Sequence, residues 1–173
     1  LKNCKIHDIN YFGLFLESSS TAYGNEFYDC SSGNNFAVQV SGSTFKNNKI
    51  HDVDLGIRAY SGTIENNIIG AETGNQGTTG IYIAYAGVTF RYNNIGGFST
   101  NVAISGNTPT FSNNNFIGIL NVGTQKNINI STGGYGLHGG ESYSSNQVSV
   151  NMQSNYCGNV SSSDIAASIH DYD

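Results

Sequence analysis

The chain has 173 residues, 38% of them hydrophobic and 11% charged, with a formal net charge of −5. That is enough apolar mass to fill the core of one domain, read as 1–173, and too little basic charge for a nucleic-acid or anionic-membrane surface, so neither partner is expected. With 22 Gly, one Pro, no Trp, 9 Phe and 11 Tyr, the composition belongs to an ordered, turn-rich chain and not to a disordered one.

No apolar run has the length of a membrane-spanning helix. The opening "LKNCKIHDIN" has neither the pattern of a signal peptide nor an initiator Met, so the chain is expected to be a piece of a longer protein. Cys4, Cys30 and Cys157 are odd in number and widely spaced. They read as buried free thiols, not as a disulfide framework or a zinc ribbon.

From the N-terminus onward the chain repeats. Cys4, Asn25, Asn48, Asn67, Asn93 and Asn114 form a column with steps of 19 to 26 residues. Three residues before each stand Leu1, Ala22, Phe45, Ile64, Phe90 and Phe111, and two residues after stand Ile6, Phe27, Ile50, Ile69, Ile95 and Phe116. Both flanking columns are wholly apolar. A further alternation follows in each repeat: Leu14 and Leu16, Val38 and Val40, Ile57 and Ala59, Ile81 and Ile83, Val102 and Ile104. Period two is the period of a strand. Each repeat therefore supplies three short strands that cannot bury their apolar faces alone, and stacking the repeats buries them. The tetrapeptide Lys5–Asp8 returns as Lys49–Asp52 because two repeats separate the copies.

The motifs "NNKI…LGIRA", "NNII…TGIYIA" and "NNNFIG" resemble those of the right-handed parallel β-helix family, the pectate-lyase-like solenoids, over about residues 1 to 120. The resemblance implies an all-β, single-stranded right-handed parallel β-helix of six or seven coils, with Asn side chains stacked along one turn. The tail also resembles this family: "VSVNMQSNYCG" looks like its closing strand, and 161–172 reads as a short capping helix with Ile165 and Ile169 on one face. An insertion loop at 123–147 interrupts the repeat. No cap precedes Leu1, so self-association through an uncapped first coil is expected.

The pattern also sorts outward side chains. His7, Tyr28 and His51 form one column and Asp8, Asp29 and Asp52 the next. A turn role for these Asp residues is expected in preference to calcium binding, since calcium takes six to eight converging oxygens. His7 and His51 sit two coils apart, too far for a shared proton or zinc, and His51→Ala is expected to cost little. No metal and no cofactor are expected. Lys5, Glu26 and Lys49 alternate in sign as a surface ladder.

The middle strand places Phe15, Gln39, Arg58 and Tyr82 in one outward row and Tyr60 in the next. Aromatic faces, an amide and a guanidinium in register suit stacking against sugar rings and hydrogen bonding to their hydroxyls. These five residues are the expected binding site, with a polysaccharide as partner. No acid–base constellation emerges among the outward columns, so a noncatalytic polysaccharide-binding or surface-scaffold domain of an extracellular or envelope protein is the leading expectation. The alternative is a polysaccharide lyase, hydrolase or epimerase that uses Arg58 with acids from the long loops, among them His138, Glu141 and Tyr143. An ice-binding solenoid is disfavoured on the reading that no outward column repeats Thr.

Overall fold

The computed structural model describes residues 1–30, 33–71, 77–85, 87–105, 109–117, 126–130 and 169–171. They form a parallel β-solenoid. The first coil carries β1 (Lys5–Ile9), β2 (Leu14–Glu17) and β3 (Thr21–Tyr23), and the second β4 (Glu26–Cys30), β5 (Val38–Ser41) and β6 (Ser43–Lys46). The third contains β7 (Lys49–Val53), β8 (Leu55–Ala59) and β9 (Gly62–Glu65), and the fourth β10 (Ile68–Ala71), β11 (Gly77–Ile83) and β12 (Val88–Arg91). Next come β13 (Asn94–Gly96), β14 (Phe98–Ile104) and β15 (Thr110–Ser112), followed by β16 (Asn115–Ile117), β17 (Lys126–Ile130) and β18 (Ile169–Asp171).

Strands with the same place in successive coils pair in parallel, giving among the described residues sheets of six, seven and five strands. The first holds β1, β4, β7, β10, β13 and β16; the second runs from β2 to β18; the third holds β3, β6, β9, β12 and β15. Among the described residues the five strands of the third sheet span four coil-to-coil steps, so the solenoid shown is about four turns, not the six or seven expected.

Two further expectations change. Within the proposed capping helix 161–172, Ile169–Asp171 is a strand that pairs with β17, and the rest lies outside the described residues. No helix is present among the described residues. Within the proposed insertion loop 123–147, Lys126–Ile130 is a strand in register with β14. It continues the sheet because Ile128 and Ile130 keep the same alternation as Val102 and Ile104. The expected closing strand at 148–158, and with it Cys157, lies outside the described residues.

The core is the set of apolar columns. Ala22, Phe45, Ile64, Phe90 and Phe111 are fully buried, as are Phe27, Ile50 and Ile95 on the first sheet and Ile57, Ile81 and Val102 on the second. Leu1 departs from its column and is 50% exposed. Cys30 is buried and Cys4 only half-buried; both are free thiols. The glycine of the "G-I" motif has a steric cause. A Cβ on Gly56 would lie 2.3 Å from the Gly80 carbonyl oxygen, and one on Gly80 would lie 2.7 Å from that of Asn101.

The Asn pair divides into two roles. The first Asn takes a left-handed conformation, with φ of 56°, 55° and 55° at Asn47, Asn66 and Asn113, a region that Asn tolerates better than most residues. The second turns inward. Asn25, Asn48, Asn67, Asn93 and Asn114 are buried. Asn25 Oδ1 accepts from the Cys4 backbone N–H at 3.0 Å, and from Asn48 onward each side-chain carbonyl accepts from both the backbone N–H and the side-chain amide of the preceding column member, as at Asn67 Oδ1 with Asn48 N (2.8 Å) and Asn48 Nδ2 (3.2 Å). The amides also donate to the coil before, Asn67 Nδ2 to the Phe45 carbonyl at 3.0 Å and Asn93 Nδ2 to that of Ile64 at 2.9 Å. The buried amides of this column thus have partners, as their desolvation requires.

Candidate functional site

The second sheet carries the expected site. Phe15 lies opposite Gln39, Gln39 opposite Arg58 and Arg58 opposite Tyr82. The row is in register, yet it does not form one open track. Gln39 and Tyr82 are each only 7% exposed. The segment before β5 folds back over the sheet, and Phe36, fully buried, packs with Leu55 and Tyr82 in a second apolar cluster. Its ring lies 6.1 Å from that of Tyr82 at an interplanar angle of 23°. Tyr82 Oη is 2.8 Å from Ser105 Oγ, so the buried phenol keeps a polar partner.

What remains open falls at two ends. At one, Phe15 is 48% exposed and meets Phe12 edge-on at 6.2 Å, with Tyr11 against Phe12 at 4.7 Å. At the other, the Arg58 guanidinium lies 5.2 Å from the Tyr60 ring centroid and 5.6 Å from that of Tyr82, and Tyr60 stacks on Tyr85 at 5.4 Å and 26°. Tyr85 presents an exposed ring face. Sequence reasoning missed both Tyr85 and Phe36. The Ala-Tyr pair repeated at 59–60 and 84–85 was a signal for Tyr85; Phe36 had none, because its destination depends on how an irregular segment returns to the sheet.

The first sheet has an electrostatic cluster. Glu26 receives Lys5 Nζ at 2.8 Å and Lys49 Nζ at 3.2 Å from the coils on either side, and His51 Nε2 at 3.0 Å. Hydrogen bonds from Lys5, His51 and Lys49 hold the Glu26 carboxyl down at about 2. The same contact raises Lys5. His51 Nδ1 lies 2.6 Å from Asp52 Oδ2, and His7 Nδ1 lies 2.7 Å from Asp8 Oδ2. The rings of His7, Tyr28 and His51 stack at 4.7 and 5.2 Å. Asp8, Asp29 and Asp52 have φ of 57°, 49° and 53° inside β1, β4 and β7, so the left-handed residue of this column falls within the strand and not on the turn that was expected. Among the described residues no group of three or more His, Cys, Asp and Glu is placed to hold a metal ion. His138, Glu141 and Tyr143 lie outside the described residues.

The third sheet overturns one expectation. Thr21 lies opposite Thr44, Thr44 opposite Thr63, Thr63 opposite Thr89 and Thr89 opposite Thr110. An outward column does repeat Thr, once in every coil of this sheet. The signal was in the sequence, since each Thr directly precedes the apolar residue at 22, 45, 64, 90 or 111.

Comparison of the chain with protein-family models, curated proteins and solved structures gives no match.

Proposed function

We propose that this chain is a noncatalytic polysaccharide-binding domain, built as a right-handed β-helix of the pectate-lyase-like kind and belonging to an extracellular or envelope protein. The observation that supports the reading is the Arg58, Tyr60 and Tyr85 cluster: two stacked phenol rings, one of them exposed, with a guanidinium against the inner ring. A sugar ring stacks on such a face, and its hydroxyls reach the guanidinium and phenol. Of the five residues expected from the sequence, Arg58, Tyr60 and Phe15 retain this role in the proposal, while Gln39 and Tyr82 support the sheet beneath.

The rival reading, a lyase, hydrolase or epimerase, has weaker support. Among the described residues, the Glu26 carboxylate takes bonds from Lys5, Lys49 and His51, and a carboxyl held near 2 is a poor general acid at neutral pH.

Titrating neutral and uronate oligosaccharides while following amide shifts and product formation tests the proposal. Expected are shifts around Arg58, Tyr60 and Tyr85, loss of binding in Tyr85→Ala, and no product. Product formation, or shifts that avoid this cluster, overturns it.

A further inference from the structure

The Thr column stands apart from the other outward polar columns. Lys5, Glu26, Lys49 and His51 are bonded to one another, Tyr82 is bonded to Ser105, and Asn66 and Asn115 donate to Asn47 and Asn94 at 2.8 and 3.1 Å. Among the described residues, the hydroxyls of Thr21, Thr44, Thr63, Thr89 and Thr110 show no hydrogen bond to any protein group. Thr44, Thr63 and Thr89 are half-buried and the two end members exposed, so the column is flush with the sheet and open to solvent.

Its geometry is that of a ruler. Paired parallel strands set the hydroxyls about 4.8 Å apart. The β-branch restricts each Thr at χ1, so a common strand environment favours the same direction for each hydroxyl and each methyl. The Asn ladder and the Phe and Ile stacks behind the sheet hold that spacing rigid.

The neighbouring outward column, although charged, is paired along the stack. Arg91 Nε and Nη2 both reach Glu65 Oε2, at 3.0 and 2.7 Å, and Lys46 lies 5.7 Å from the Tyr23 ring centroid. On the other side, two positions before the first four Thr residues, stand Ser19, Gly42, Ser61 and Gly87. The result is a strip of hydroxyls and methyls with a low shoulder on one side and a self-paired charged rail on the other.

A single small molecule gains little here, because a neutral hydrogen bond made at a solvated hydroxyl replaces one to water and adds little net. A ligand held by this column must touch several Thr at once and must carry the same translational repeat, so that many weak contacts add. Hexagonal ice meets both conditions: its oxygen repeat along the basal axis is close to the strand spacing, and its surface offers both donors and acceptors to hydroxyls while accommodating methyl groups.

We infer that the Thr21–Thr44–Thr63–Thr89–Thr110 column is an ice-binding strip, separate from the aromatic cluster on the second sheet.

The test is partition of the labelled full chain into a slowly grown ice front, beside serum albumin, together with the shape of single ice crystals in its solution. Expected are several-fold enrichment over albumin and faceted crystals for the natural chain. Thr63→Tyr, which puts a bulky ring at the middle of the strip, should bring both to the albumin level with an unchanged circular dichroism spectrum. Tyr85→Ala, on another face, should leave both intact. Should Thr63→Tyr fold poorly, Thr44→Lys and Thr89→Lys replace it, since both side chains are half-exposed. Albumin-level partition of the natural chain, enrichment that survives Thr63→Tyr or both Lys variants, or equal loss in Tyr85→Ala overturns the inference. So does Thr63-dependent retention on crystalline chitin or cellulose without ice enrichment, which would make the strip a polysaccharide surface.

Discussion

Asn48 Oδ1 accepts two hydrogen bonds from Asn25, from its backbone N–H at 2.8 Å and from its side-chain amide at 2.9 Å. Asn48 Nδ2 in turn donates to the Ala22 carbonyl at 3.1 Å, so one side chain joins two coils through three bonds. Asn67 does the same one coil further on. Replacing Asn67 by Leu strands the Asn48 donors and the Phe45 carbonyl in the core. The expected cost is about 3 kcal/mol, the range for buried groups that lose their partners. Urea unfolding at constant m-value measures it; a cost under about 1 kcal/mol would mean that water reaches the stranded groups.

The Glu26 carboxyl is held at about 2, against an ordinary 4.5. A lowered folded-state value favours the folded chain above about pH 4.5, and that contribution disappears as pH falls from there through 2. Thermal midpoints followed from pH 7 to pH 2 should therefore fall more steeply for the natural chain than for Glu26→Gln, and the two curves should converge at the acid end. Parallel curves would show that Lys5, Lys49 and His51 do not stabilise the carboxylate in solution. His51→Ala removes bonds at a partly exposed site and is expected to cost less than about 1 kcal/mol.

Tyr92 occupies the left-handed position that Asn47, Asn66 and Asn113 hold in other coils, with φ of 57°. A residue with a full-sized side chain pays conformational energy there that Asn or Gly largely avoids. Its ring is 51% exposed, so little packing is lost on replacement. Tyr92→Asn is expected to stabilise the chain by about 0.5–1 kcal/mol, seen as a higher urea midpoint. An unchanged or lower midpoint would locate a compensating contact for the ring.

At Gly80 the obstacle is backbone and not a movable side chain. A Cβ there would meet the Asn101 carbonyl oxygen at 2.7 Å and the rings and methyls of Phe98 and Ile95 at 2.9 and 3.0 Å. Gly80→Ala is expected to cost about 1–3 kcal/mol by forcing two coils apart. Gly33→Ala, with open space around it but φ of 63°, separates the effect of crowding from that of backbone conformation.

The columns of Asn, Phe and Ile were legible in the sequence because a solenoid repeats one environment in every coil. Asn48 must meet Asn25 and Asn67, and Phe45 must meet Ala22 and Ile64, whatever the turns between them do. The outward rows were legible for the same reason, down to the pairing of Arg58 with Gln39 and Tyr82. Period-two alternation fixes which side chains point outward, but it does not say what lies over them. Phe36 buries Tyr82 through a segment that belongs to no column, and Tyr85 reaches Tyr60 from beyond the end of β11. Likewise, the Lys5, Glu26 and Lys49 column was visible as a row of alternating charge, while the bond from His51 to Glu26 depends on two neighbouring columns leaning together across adjacent coils. Repetition along the stack is written into the spacing of residues; contacts between columns and over faces depend on side-chain direction and on irregular turns, which only the folded chain decides.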